Sequence, residues 1–187
     1  MMNTKSTLFI FLLILVVLIL SCNSKKKYPQ QCEQVPKYLK VFELPEKLIG
    51  YNNYEQAVDC ARKTDKPLAV YITGYACKNC RDFEEKFLNS DEVSKLLNEH
   101  FVFAALLIDI KKELPKEDQF VVTRSNGTKR KVKTIGHLNG YIAASKYMNG
   151  SQPYLFITNS RDSIVARIGY SQNKEELLKE LKAVIEK

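Results

Sequence analysis

Two cysteines, Cys77 and Cys80, are separated by only two residues in the segment TGYACKNCRDFEEKF. Thiols at this spacing can bind a metal ion, close a small structural loop or exchange electrons as a dithiol–disulfide pair. A metal site needs further ligands, and the other cysteines and histidines form no second pair at zinc spacing. Closing a four-residue loop removes little entropy from the unfolded chain, which disfavours a purely structural disulfide. The spacing therefore favours redox chemistry.

The segments on either side of the pair predict a strand followed by a helix. Residues 68–74, LAVYITG, are apolar, short and rich in β-branched side chains, as buried strands are. Residues 77–88 repeat their apolar side chains at helical spacing. At a helix start, Cys77 would face free backbone N–H groups and the positive end of the helix dipole, which favour a thiolate. We therefore predict Cys77 as the nucleophile and Cys80, one turn later on the same face, as the resolving thiol.

The rest of the domain predicts an α/β fold. The further elements are helices capped by Asn53, Ser90 and Asn173, a strand in FVFAALLIDI, and a hairpin made by YLFIT and SIVARIG. A strand–helix–strand unit followed by an antiparallel pair predicts a mixed sheet with helices on both faces. A cysteine pair at the strand-to-helix turn of such a unit is the arrangement of redox proteins.

Five motifs make the chain similar to thioredoxin-like domains, and more narrowly to the C-terminal periplasmic domain of the thiol:disulfide interchange protein DsbD and its bacterial lipoprotein relatives. In order, they are YEQAVDCARKTDKP, TGYACKNCRDFEEKF, DIKKELP, KVKTIG and NGSQPYLFITN, and the similarity covers most of residues 47–187. The resemblance implies a thioredoxin-like mixed sheet flanked by helices, no cofactor, no metal, and dithiol–disulfide exchange with protein partners. Because the chain does not contain the multi-helix electron-conducting domain of DsbD, the resemblance also implies a separate membrane electron donor of that type.

The resemblance further implies a cis-proline beside the cysteines. Pro153 stands just before a predicted strand, at the place of the family's cis-proline loop. In that loop the backbone of Gln152 would bind the extended backbone of a substrate. Taken without the resemblance, the residues leave an ordinary trans proline at a strand start equally open.

Two positions depart from the family pattern. Tyr71 stands six residues before the first cysteine, where many relatives have a buried Asp that helps to move the proton of the second. Ala76 stands where many have Trp, and the chain contains no Trp. A phenol, with a pKa of about 10, is a poor base near neutral pH. We therefore expect water or hydroxide to take the proton of Cys80, which affects the rate and direction of exchange but not its type.

The N-terminus predicts export to the cell envelope. Thirteen apolar residues, Leu8–Leu20, follow Lys5, whereas a membrane-spanning helix needs about twenty. The sequence that follows, Ser21-Cys22, resembles the lipobox of bacterial lipoproteins, with Cys22 as the lipidation site. An uncleaved membrane anchor is the alternative, and both interpretations place the domain in the periplasm. The predicted organisation is a lipoprotein signal peptide over residues 1–21, a polar tether over 22–42 and a thioredoxin-like domain over 43–187.

The net charge of +8 is concentrated in two places. Three lysines at 25–27 follow the lipidation site, and residues 111–133 carry eight Lys or Arg against three acids. The remainder of the mature chain is close to neutral and has no nucleic-acid-binding signature. Within 111–133, Asn126-Gly127 between two β-like runs predicts an inserted hairpin before the cis-proline strand. Its lysines either keep a strand edge solvated or form a docking arm for an acidic partner.

The sequence as a whole thus predicts a thiol–disulfide oxidoreductase, a reductase or isomerase of envelope proteins. Two alternatives remain: a disulfide oxidase of the same fold, and a non-enzymatic lipoprotein that uses the fold for binding.

Cys32 and Cys60 can bond to each other in an oxidising compartment, or Cys60 can simply be buried in the first helix. His100 and His137 lie in no motif and are expected at the surface or in loops.

Overall fold

A computed structural model of the chain describes residues 47–124, 126–170 and 173–186. The predicted signal peptide, the lipidation site at Cys22 and the whole of the tether lie outside the described residues, as do residues 43–46 of the predicted domain. Within the described ranges, no helix is long and apolar enough to cross a bilayer.

The chain alternates helices and strands around the cysteine pair. The helices are α1 (Tyr54–Thr64), α2 (Lys78–Phe83), α3 (Asp91–His100), α4 (Ile135–Ser145) and α5 (Lys174–Ile185). The strands are β1 (Leu68–Thr73), β2 (Val102–Leu107), β3 (Phe120–Thr123), β4 (Lys129–Val132), β5 (Tyr154–Thr158) and β6 (Ile164–Ile168). A π-helical turn, Glu84–Leu88, continues α2, and a short 3₁₀ turn, Lys116–Asp118, precedes β3.

Four strands form a mixed sheet in the order β2-β1-β5-β6, with β1 parallel to β2 and antiparallel to β5. Both β1 and β2 are buried along their whole length because helices cover both faces of the sheet. Alternate residues of β1 serve the two cores: Tyr71 packs with α2, α3 and α5, whereas Ile72 packs with α1 and α4. The predicted mixed sheet flanked by helices is confirmed, and β3 and β4 form the predicted inserted hairpin.

Side-chain caps start the helices where the sequence predicts them. Asn53, Ser90 and Asn173 each accept backbone N–H groups in the first turn of α1, α3 and α5. Thr134 caps α4 in the same way, but the sequence pattern did not predict this helix. Its sequence, IGHLNGYIAAS, contains two glycines and lacks a clear division into apolar and polar faces.

Gly136 brings the start of α4 against the backbone that follows β2. A Cβ at this position would lie 2.7 Å from Ile108 O and from both N and O of Ile110. The Gly136 N–H donates to Ile110 O at 3.0 Å. One turn later, the buried Asn139 donates from Nδ2 to Leu107 O at 2.9 Å. These contacts fix α4, and with it the end of the hairpin, to the C-terminal end of β2.

Gly136→Ala should destabilise the protein by about 1–3 kcal/mol, because the new methyl group meets backbone atoms that cannot move aside cheaply. Gly140→Ala is the matched control in the same helix, since a Cβ there meets nothing within 4 Å. That change should stabilise the helix by up to about 1 kcal/mol. Urea denaturation followed by circular dichroism measures both, and equal stability of the two variants would contradict the close approach.

Candidate functional site

Cys77 and Cys80 are joined by a disulfide at the turn from β1 into α2, with Sγ atoms 2.07 Å apart. Cys77 is the N-cap of α2, and its Sγ accepts the backbone N–H of Cys80 at 3.1 Å. Cys77 is partly exposed, whereas Cys80 is fully buried. Of the two sulfurs, Cys77 Sγ is therefore the one that a partner protein can reach.

The N-cap position of Cys77 favours a negatively charged sulfur. A cap side chain satisfies backbone N–H groups that have no partner within the helix, and a thiolate accepts such hydrogen bonds more strongly than a thiol. The helical segment runs on from α2 through Glu84–Leu88, so its peptide dipoles add toward the Cys77 end. Reduction of the disulfide would leave the Cys80 N–H in place to donate to a Cys77 thiolate.

Glu84 is a buried carboxyl group one helical turn after Cys80. Its side chain is 8% exposed, and its Oε1 accepts the Thr73 hydroxyl at 2.9 Å. Burial raises the pKa of Glu84 above its ordinary value, while hydrogen bonds from Thr73 and Tyr71 and the charge of Arg81 act in the opposite direction. A carboxyl group in this environment can exchange a proton closer to neutral pH than an exposed one.

Tyr71 belongs to the core beneath the disulfide. Its ring stacks on Phe83 and Phe103, with centroid distances of 5.8 and 6.3 Å, and its hydroxyl donates to Cys80 O at 3.2 Å. Burial and the nearby charge of Glu84 raise the pKa of the Tyr71 phenol, so the hydroxyl stays protonated. Tyr71 is not a base, as predicted. However, the expectation that water or hydroxide must take the Cys80 proton did not include Glu84.

The helical pattern of the sequence contains a signal for Glu84. Cys80, Phe83 and Phe87 follow one another at helical spacing, and Glu84 falls within the same buried stripe. An acidic residue on an apolar helix face is seldom buried without a partner or a function. The helix also widens here: the Asn89 N–H donates to Glu84 O at 2.8 Å, a π-type bond of a kind that is frequent at functional sites.

Gly74 lies where the segment before Cys77 meets the end of β2. A Cβ at Gly74 would lie 3.0 Å from Oδ2 of Asp109, a residue just beyond β2. The same Oδ2 accepts the Ala76 N–H at 2.9 Å. Asp109 therefore holds the residue that precedes Cys77, a role that the sequence motifs did not reveal.

The loop before β5 brings Gln152 and Pro153 to the same place. Their peptide bond is cis, as the resemblance implied, and Pro153 is buried. Gln152 Nε2 would lie 3.2 Å from a Cβ at Gly74. Asp109 Oδ1 and Gln152 Oε1 are buried acceptors without a hydrogen-bond partner among the described residues. The structure thus brings both predicted substrate-binding residues next to the loop that carries Cys77.

The other candidate residues do not join this site. His100 is exposed at the end of α3, and His137 lies in the first turn of α4. Cys60 is buried in α1 and is not a free thiol, but Cys32 lies outside the described residues, so a Cys32–Cys60 bond stays a hypothesis. Across the described part of the chain, no three His, Cys, Asp or Glu side chains are grouped so as to hold a metal ion.

Residues 50–134 match a protein-family model described as thioredoxin-like. Among solved structures, the chain is similar to a protein described as DsbH oxidoreductase, with 17% identity and a TM-score of 0.56 over 76% of this chain and 89% of that chain. It is also similar to a thioredoxin from Thermus thermophilus, with 22% identity and a TM-score of 0.52 over 73% of this chain and 86% of that one. Among the curated proteins, none matches the sequence significantly.

The C-terminal domain of DsbD from Neisseria meningitidis, in its oxidised form, is a more distant match. It shares 16% identity at a TM-score of 0.45, over 69% of this chain and 90% of that chain. A similarity at that score carries no argument about function. At identities this low, the other two structures show a common fold and no more.

Ionisation of Glu84 should make the free energy of unfolding depend on pH. Because its folded-state pKa is raised, the stability that it contributes is complete below its unfolded pKa and is lost as the pH rises through the folded pKa. Glu84→Gln keeps an acceptor for Thr73 but cannot ionise. The stability of this variant relative to wild type should therefore increase with pH across that window, measured by urea denaturation between about pH 4 and pH 8. Glu85→Gln, at the exposed neighbour, is the control, and parallel curves for wild type and Glu84→Gln would contradict the assignment.

Proposed function

We propose that this chain, whose central part is a thioredoxin-like domain, reduces or isomerises disulfide bonds of other proteins. The observation that carries the proposal is the asymmetry of the Cys77–Cys80 disulfide at a helix start. One sulfur is accessible and held by a backbone N–H, while the other is buried one turn before a carboxyl group. A redox-active pair needs this division between an attacking and a resolving thiol.

In the first step, the Cys77 thiolate attacks one sulfur of a partner disulfide. A bond forms between Cys77 Sγ and that sulfur, the partner's disulfide breaks, and its second sulfur leaves as a thiolate that takes up a proton. Pro153 and Gln152, beside the Cys77 loop, are the residues we propose to hold the partner's backbone during this step.

In the second step, Cys80 resolves the mixed disulfide. Its thiol must first lose a proton, and we propose that the buried carboxylate of Glu84, four residues later in the same helical segment, receives it. The Cys80 thiolate then attacks Cys77 Sγ, the bond between Cys77 Sγ and the partner's sulfur breaks, and that sulfur leaves as a thiolate that takes up a proton. The Cys77–Cys80 disulfide is restored, and the partner is released as a dithiol. Two electrons pass from the domain to the partner in each cycle, so a separate dithiol donor must reduce the domain again.

The proposal extends to the cell envelope on the strength of the N-terminal sequence. Residues 1–21 have the pattern of a lipoprotein signal, and lipid on Cys22 would anchor the mature chain with its domain in the periplasm. A membrane electron donor of DsbD type would then supply the electrons. Disulfide oxidation by the same two steps in reverse is the principal alternative, and the relative reduction potentials of donor and partner decide the direction.

Cys77→Ser should abolish the reduction of insulin disulfides in the presence of a dithiol donor, because a hydroxyl cannot replace the attacking thiolate. Precipitation of the freed insulin chains, followed by turbidity, measures the rate. Activity equal to wild type in this variant would rule out Cys77 as the nucleophile.

Cys80→Ala tests the assignment of Cys80 as the resolving thiol. Cys77 can still attack, but the mixed disulfide is no longer resolved and should accumulate. Adducts with envelope proteins should appear on non-reducing gels and disappear on reduction. The Cys77→Ala/Cys80→Ala double variant is the control, and equal amounts of adduct in both variants would favour a non-enzymatic binding function.

Glu84→Gln should slow the decay of the mixed disulfide by about 100-fold near pH 7, because the Cys80 proton loses its acceptor. The difference from wild type should narrow as the pH rises, since hydroxide then replaces the carboxylate. Acid quenching of single-turnover reactions measures this decay, with Glu85→Gln as the matched variant. An unchanged rate of decay in Glu84→Gln would mean that water or hydroxide, and not Glu84, accepts the Cys80 proton.

A further inference from the structure

The β3–β4 hairpin carries positive charge that the proposed exchange does not use. Arg124, Lys129, Arg130 and Lys131 are all exposed. None of them forms an ion pair with a carboxylate in the described part of the chain. A charge arrangement that serves stability alone would alternate signs or pair them.

Pairing across the hairpin does not neutralise these charges either. Opposite charges on facing strand positions stabilise a hairpin, whereas like charges directly opposite each other destabilise it. In this register Lys129 faces Thr123, Arg130 faces Val122, and Lys131 faces Val121. Charged side chains, lysines especially, also keep a strand edge from pairing with another chain. β4 carries three consecutive cations, and no acidic residue lies opposite any of them.

The hairpin turns one face to the domain and the other to solvent. Phe120 packs edge-to-face on Tyr141 of α4, with ring centroids 5.3 Å apart, and Val132 opposite Phe120 is buried. Since side chains alternate along each strand and facing residues share a side, the opposite side consists of Val121, Thr123, Lys129 and Lys131. We call these four residues the outer face. Its apolar member, Val121, is 59% exposed.

The hairpin leaves the sheet at the same edge as the cysteine pair. β1 and β2 are parallel, so Cys77 after β1 and the hairpin after β2 both follow the C-terminal edge of the sheet. The base of the hairpin is closed by Leu114 N–H to Lys133 O and Ile135 N–H to Lys112 O, both at 2.9 Å. With the close backbone contact at the start of α4, these bonds hold the charged strands in a fixed position relative to the sheet.

We infer that the outer face docks an acidic segment of the protein whose disulfide reacts with Cys77. The inference rests on the proposed function and defines the chemistry of the partner: Asp or Glu side chains near its disulfide, with an apolar side chain against Val121. Positive charge on an element that leaves the same edge of the sheet as the nucleophile speeds the encounter with an acidic partner and orients it. This attraction is screened by salt.

Two disulfide-bonded peptides test the inference on the full-length protein. They share one core sequence and differ only in a Glu-rich or a Gln-rich flank of equal length. At low ionic strength, wild type should reduce the Glu peptide about tenfold faster than the Gln peptide. The preference should disappear at about 0.5 M salt. Fluorescence anisotropy of labelled peptides with the oxidised protein gives binding separately from exchange, using cysteine-free versions of both peptides.

Charge-reversal variants locate the effect on the outer face. Lys129→Glu/Lys131→Glu should remove or invert the preference, whereas Lys129→Arg/Lys131→Arg should keep it. Lys95→Glu/Lys179→Glu changes the charge by the same amount at exposed lysines of α3 and α5 and should keep the preference. Equal loss in this control would mean that only net charge matters and would overturn the inference.

The peptide pair separates this inference from the proposed function. Equal reduction of both peptides by wild type leaves the function standing and overturns the docking face. Binding of the Glu peptide that depends on Lys129 and Lys131, without reduction of either peptide, supports the docking face and overturns the function. Vesicles of phosphatidylglycerol and phosphatidylethanolamine test a lipid surface. Lysine-dependent binding to vesicles together with no preference for the Glu peptide would assign the outer face to a membrane and overturn the inference.

Discussion

The helix start at Cys77 makes the two sulfurs of one disulfide unequal, and the other features of the site depend on that inequality. The cap position holds Cys77 Sγ near the surface and within reach of a backbone N–H, while the following turn carries Cys80 into the core. A chain that only needed a covalent link would gain little from a loop this short. The buried strand β1 provides the rigid support, because its end fixes where the helix begins.

The buried carboxyl of Glu84 is the second consequence of this geometry. An ionisable group loses hydration when it is buried, and partial compensation comes from the Thr73 hydroxyl and the protonated phenol of Tyr71. Tyr71 also has a structural role: its ring stacks on Phe83 from the strand side, and its hydroxyl donates to the backbone carbonyl of Cys80. Glu84 lies on the helical segment, four residues after the buried Cys80, and it is the group that we propose to accept the proton of that thiol.

Local patterns in the sequence were enough to predict most of the fold. Caps such as Asn53 and Ser90, the apolar run of β1 and the Asn126-Gly127 turn each specify structure within a few residues. Helix α4 was not predicted because it is held by contacts with the end of β2, and a local sequence pattern does not reveal such contacts. The role of Asp109 was not predicted for the same reason, since its contact with Ala76 joins residues far apart in the chain. Glu84 was within reach of the sequence pattern, since its place on a buried helix face follows from helical spacing.

The reduction potential of the Cys77–Cys80 pair tests the central claim most directly. The full-length protein would be equilibrated in a series of dithiol–disulfide buffers, and the free thiols alkylated and counted by mass. If the pair exchanges electrons with other proteins, it should show one reversible two-electron transition above about −300 mV, the region of catalytic rather than structural disulfides. A pair that stays oxidised in buffers poised below about −300 mV would be a structural link and would contradict the account.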